Sequence, residues 1–212
     1  WYFRRTAYPV LELGLLRNRL FRTTVVGGTF FRLGTGAMPI LFPLMLQLAF
    51  GLNPFQSGSI TFATAVGAFA AKFVAEAILH RLGFRGTLVA ATLVTTMGVA
   101  AMGVYSPQTP MPLMLSLLVV TGFFQSMFWT ATNAFTFADI EDKDAGQANV
   151  ISQVTVQITL ACGVALGGGV LEAARLSHGG TPTLGDFHFA FWVIAAVALV
   201  STVIFARVPA AA

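Results

Sequence analysis

The stretch Phe30–Gln47, FFRLGTGAMPILFPLMLQ, is apolar over most of its length, yet it holds an arginine, two glycines and two prolines four residues apart. About 20 apolar residues are what one α-helix needs to cross a bilayer, and polar groups within such a run are tolerated where protein or a water-filled cavity surrounds them rather than lipid. Wound at 100° per residue, Gly28, Arg32, Gly36, Pro39, Pro43 and Gln47 fall within about 100° of one another, opposite Phe30, Leu41, Leu44, Met45 and Leu48. An arginine on lipid costs about 2.5–3.5 kcal/mol even on the lenient insertion scale. This stripe is therefore expected to face the interior of a helix bundle, with kinks at the two prolines whose freed carbonyls are satisfied inside.

The rest of the chain agrees. Its 212 residues are 56% hydrophobic and 9% charged, with a mean hydropathy of +0.79, whereas soluble domains carry roughly 25% charged residues. These values define an all-α integral membrane protein. The net charge of +4 comes from few residues, with no basic runs interleaved with aromatics, so nucleic acid is excluded as a partner. One cysteine, Cys162, rules out an intrachain disulfide and a cysteine metal cluster. His80, His178 and His188 are scattered, so no metal and no cofactor is expected. The first residues, with YPVLELGLLRNRLF at Tyr8–Phe21, read as a basic amphipathic connector on a membrane face, over 1–20, and the chain is expected to be part of something longer.

Turn signals divide the remainder into six expected transmembrane helices, near residues 21–50, 55–79, 87–105, 111–137, 148–173 and 187–206, with 207–212 as a tail. GLNP and SPQTP are tight turns, HRLGFRG is basic, ADIEDKDAGQ is charged and ARLSHGGTPTLGD is rich in Gly, Pro and Ser. Short loops suit a bundle of antiparallel neighbours. With the N-terminus inside, the inner side carries Arg4, Arg5, Arg17, Arg19, Arg22, Arg81, Arg85, Lys143 and Arg207, and the outer side only Arg175. By the positive-inside rule both ends are expected to be cytoplasmic, in the cell (inner) membrane.

Polar residues sort the helices further. The fourth span groups Thr121, Gly122, Gln125, Trp129, Thr132, Asn133 and Thr136 on a face about 120° wide, and an indole among amides and hydroxyls suits a cavity for an organic molecule. The fifth adds Asn149, Gln153 and Gln157 at four-residue spacing. The third and sixth carry hydroxyls or almost nothing polar and read as lipid-facing supports. In the second, Ser59, Ala63, Gly67, Ala71 and Ala75 form a small-residue seam for close packing, and Gly163 and Gly167 offer another in the fifth. Lys72 and Glu76, one turn apart, are placed for an ion pair or a coupling role, and Lys72 also for snorkelling.

LELGLLRNRLFR, FRLGTGAMPILFPLMLQ, GLNPFQSG, HRLGFRG and NAFTFADIEDKDAGQANVISQVTVQ together resemble the C-terminal six helices of a major facilitator superfamily transporter. The likeness is to the fourteen-helix drug:proton antiporter family of EmrB/QacA type, and within it to MdtD-like members. The resemblance implies one half of a transporter, two inverted three-helix repeats around a cavity shared with an N-terminal half outside this chain, whose first and fourth helices line the cavity. It also implies a gating loop at Arg81, Gly83 and Arg85, with His80 where the family has an aspartate. The implied activity is proton-driven export of drugs or other small organic molecules by alternating access, with the bilayer, a small organic substrate and protons as partners. The candidate cavity residues are Arg32, Gln47, Gln125, Trp129, Asn133, Gln153 and Gln157. Trp129 and the phenylalanines favour amphipathic drugs, and Arg32 favours organic anions. Arg32 is either a cavity cation or a structural one, and the amides either ligand contacts or interhelical hydrogen bonds. A different class, a complete six-helix channel or other membrane protein outside this superfamily, is the alternative. An enzyme is not expected, since no span carries GxSxG, HExxH or paired aspartates.

Overall fold

The computed structural model describes residues 19–137, 142–177 and 179–207. Most of the amphipathic connector, residues 138–141 of the acidic turn, His178 and nearly all of the tail lie outside them, while residues 142–147 of that turn belong to the helix that follows it. The described residues form α1 (Arg19–Thr35), α2 (Met38–Leu48), α3 (Pro54–Met102), α4 (Met111–Phe137), α5 (Asp142–Leu176) and α6 (Leu184–Ala206).

Two of these elements need explanation. α1 and α2 make one apolar span, Phe21–Leu48, interrupted at Gly36 and Ala37. The break precedes Pro39, which sits in the first turn of α2, where a missing N–H costs nothing. The expected kinks therefore merge into one break a turn earlier, and Pro43 stays inside α2. The Pro43 carbonyl accepts from Ser57 Oγ at 3.2 Å.

α3 has 49 residues, about 74 Å at 1.5 Å per residue and more than twice a hydrocarbon core. It turns back at Gly83, where φ is 67° and ψ 173°. A Cβ at Gly67 would lie 1.9 Å from the Val119 carbonyl, and one at Gly98 2.0 Å from Thr121 Oγ1. Positions before and after Gly83 thus meet the same turn of α4, so the two arms of α3 run side by side. This φ/ψ region is open essentially to glycine alone, and other residues there cost about 1–3 kcal/mol. Gly83→Ala is expected to lower the unfolding free energy in detergent by about that amount; a melting temperature equal to wild type would show that the turn tolerates a side chain.

The helix starts follow from local sequence. Asn53 Oδ1 accepts from the Gln56 N–H at 2.9 Å while Gln56 Oε1 accepts from the Asn53 N–H at 3.0 Å, a reciprocal cap for α3. Thr183 and Asp186 form the same device at α6.

The apolar core forms a small cluster of Phe21, Ala148 and Ile151 and two large ones. One gathers Leu41, Phe42, Met45 and Leu46 of α2 with Met102, Tyr105, Phe187 and Phe191. The other gathers Phe31 of α1 with Ala71, Leu88, Met127, Phe128 and Phe205. Small residues bring the helices together. Ala63, Gly67, Ala71 and Ala75 are buried, while Ser59 is exposed and Ser57 is buried in its place. A Cβ at Gly122 would lie 2.0 Å from the Thr64 carbonyl. On α5, a Cβ at Gly163 would lie 2.7 Å from the Arg32 carbonyl and one at Gly167 2.3 Å from Ala37 Cβ, so α5 packs on the break between α1 and α2. The third-span arm of α3 and α6 join through a buried hydroxyl pair, Thr202 Oγ1 donating to Thr92 Oγ1 at 3.0 Å. Both still expose apolar side chains such as Leu93, Met97, Phe189 and Val203.

Candidate functional site

Helical side chains lean toward the N-terminus of their own helix. Arg32 therefore lies back over Gly28, one turn earlier, where a Cβ would come 2.7 Å from Arg32 Nη1. The bare backbone at Gly28 is what gives the guanidinium its place. Its carbon lies 5.0 Å from the ring centre of Trp129 and 5.9 Å from that of Phe128, both on α4. Phe128 is fixed in turn by Phe31, stacked at 3.9 Å, and by the edge of Phe205 at 6.3 Å. Arg32 is 5% exposed, and its Nε has no hydrogen-bond partner. The quadrupoles of two aromatic faces take up part of the charge. They leave the N–H donor unsatisfied.

That side chain borders a cavity of about 100 Å³ between α1, α4 and α5, whose wall includes Thr24, Trp129, Asn133, Asn149, Ser152 and Gln153. A second, more open cavity of about 490 Å³ lies between the first arm of α3 and α4, bordered by Lys72, Gly122, Gln125, Ser126, Trp129 and Asn133. Trp129 and Asn133 belong to both walls. No carboxylate borders either cavity among the described residues.

Of the residues singled out in the sequence, Arg32, Gln125, Trp129, Asn133 and Gln153 thus border these two cavities. Gln47 and Gln157 do not. Gln47 Nε2 donates to Ser57 Oγ at 3.4 Å, tying α2 to the start of α3. Pro39 is exposed, and Gln47 lies roughly 22 Å along the span from Arg32 at 1.5 Å per residue. Gln157 is exposed, one turn beyond Gln153. Lys72 does not pair with Glu76: it borders the larger cavity, and Glu76 Oε1 lies 3.8 Å from His80 Nε2, both side chains exposed. At the turn between the arms of α3, Arg81 is exposed and Gly83 makes the reversal. Arg85 Nη2 donates to the Ala206 carbonyl at 2.7 Å, a cation at the C-terminal end of α6, where the helix dipole favours one. Ser152, whose buried Oγ has no partner, also borders the small cavity. The sequence carries no signal for it, because a lone serine in a span usually bonds its own helix.

Membrane-length apolar helices packed through glycine around polar cavities define a polytopic helical membrane protein. The chain belongs to the Major Facilitator Superfamily, whose profile matches residues 24–211. Members of that family are membrane transporters and not enzymes, which removes the alternative of a channel or other protein outside it. Among curated relatives, "Putative multidrug resistance protein MdtD" of Enterobacter sp. (strain 638) is 29% identical over 218 residues, covering 99% of this chain and 45% of the relative. The proteins of the same name in Klebsiella pneumoniae (strain 342) and Serratia proteamaculans (strain 568) are 28% and 27% identical, with the same coverage. The chain spans about half the length of the curated relatives it matches.

Proposed function

We propose that the chain is the C-terminal half of a proton-driven exporter of small, drug-like organic molecules, working by alternating access against an N-terminal helix bundle. In this reading residues 21–206 form one bundle, 1–20 an interfacial connector and 207–212 a tail. Both ends lie on the cytoplasmic side of the inner membrane, as the distribution of Lys and Arg favours. The turn at Arg81, Gly83 and Arg85 serves as a gating loop, with Arg85 holding it to α6. The names of the relatives support drug export.

The observation that carries the reading is Trp129, a flat apolar surface shared by two cavities and flanked by Asn133, Gln125 and Gln153. Ligand pockets combine such apolar surface with a few orienting polar groups, and commonly measure about 300–1,000 Å³. The larger cavity, at about 490 Å³, falls in that range. In inverted membrane vesicles carrying the complete gene product, an imposed proton gradient is expected to drive accumulation of a fluorescent aromatic dye, and a protonophore to abolish it. Accumulation no faster than in vesicles lacking the protein, across cationic, neutral and anionic dyes, would overturn the reading.

A further inference from the structure

We infer that the two cavities form one compound site for aromatic organic anions, with the anionic group at Arg32 and the ring system on Trp129. The inference deepens the proposed export function and rests on it for the identification of this cavity as a substrate site.

Three observations carry it. Arg32 is 95% withdrawn from solvent yet its Nε lacks a hydrogen-bond partner, an arrangement that leaves a donor unsatisfied until a ligand supplies an acceptor. Guanidinium groups recognise carboxylates through two parallel N–H donors. The compartment at Arg32, about 100 Å³, is the smaller of the two and accommodates a carboxylate-sized group beside the guanidinium. The larger compartment across Trp129 supplies the room for rings.

The charges agree in sign. Arg32 borders one compartment and Lys72 the other, and no carboxylate borders either among the described residues. A cation held against two aromatic faces favours an anion, since bringing in a second cation would meet like-charge repulsion in a medium of low dielectric. Ser152 Oγ, buried beside the same compartment without a partner, is a second donor for the anionic group.

The test compares 2-naphthoate with its uncharged analogue 2-naphthamide, by calorimetric titration of the complete, detergent-purified gene product at neutral pH. Naphthoate is expected to bind at least about tenfold more tightly than the amide, as one charge-assisted hydrogen-bonded pair predicts. Arg32→Ala is expected to remove that preference, the acid losing more affinity than the amide, and Arg32→Lys to keep part of it. Equal affinity of the wild-type protein for acid and amide, or tighter binding of the amide, would overturn the inference without need of any variant. Arg32→Ala retaining the full preference in a monodisperse sample would overturn it as well, as would the absence of saturable binding of either compound. The export reading is judged separately, by dye accumulation in vesicles. Transport of cationic or neutral dyes with no preference for naphthoate leaves export standing and overturns the anion site, and preferential naphthoate binding without gradient-driven transport does the reverse.

Discussion

Gly67→Ala is expected to be among the most damaging single-atom additions to this protein, lowering the unfolding free energy by about 3 kcal/mol, the upper end of the usual cost of overpacking. The added carbon would lie 1.9 Å from the Val119 carbonyl and 2.8 Å from the Phe123 nitrogen. Both are backbone atoms of α4, so no side-chain rotation relieves the clash. The first arm of α3 and α4 would have to separate. The reciprocal contact, Gly122 against the Thr64 carbonyl at 2.0 Å, would open with them. In lipid there is little hydrophobic drive between helices, and close van der Waals packing through small residues is much of what holds them. Gly168→Ala supplies the contrast, because no atom lies within 4 Å of the position its Cβ would take. In a helix that exchange is neutral or favourable by up to about 1 kcal/mol. Thermal unfolding of both variants in detergent measures the difference. Equal melting temperatures for Gly67→Ala and wild type would mean that α3 and α4 do not meet at this seam.

The seam shows what was legible in the sequence. Small residues four apart lie on one side of any regular helix, so Ala63, Gly67, Ala71 and Ala75 could be read as a contact before any partner was known. The partner could not be read, because the pattern in α3 says nothing about which turn of α4 complements it. At the helix start the pattern misleads: Ser59 fits the spacing but is exposed, while Ser57 is buried and bonds Pro43. The stripe on the first span follows the same logic. It places Arg32 inside, and Arg32 is buried. Yet a helical wheel shows direction around the axis and not position along it, and Gln47 lies roughly 22 Å further along the span than Arg32 at 1.5 Å per residue. That is why Gln47 contributes to helix packing and Arg32 to a cavity. Lys72 has a different cause. Its four-residue spacing from Glu76 permits an ion pair, but such a pair on an exposed helix face is worth only about 0.3–0.5 kcal/mol. So weak a preference does not fix the lysine, and it borders the larger cavity instead.

Trp129→Ala is expected to have the second large effect, this time on ligand handling. The indole faces both cavities and also carries the Arg32 guanidinium at 5.0 Å. Removing it takes away the stacking surface for a ligand ring and one of the two aromatic faces that hold the cation. A desolvated cation–π contact is worth up to about 2 kcal/mol, and an aromatic pair about 0.5–1.5 kcal/mol. The combined loss, at most about 3.5 kcal/mol, corresponds to a fall in affinity for aromatic ligands of up to roughly 300-fold. Trp129→Phe keeps a ring in place and is expected to lose less than about tenfold, since the smaller face is the weaker cation acceptor. The two roles of the indole separate by probe. Loss of the ligand platform weakens 2-naphthoate and 2-naphthamide alike, whereas loss of the Arg32 support weakens the acid more. Titration of both variants with both compounds reads the two ratios directly. If Trp129→Ala left both affinities unchanged, the wall between the cavities would be a packing element, and the ligand site would have to be sought away from α4.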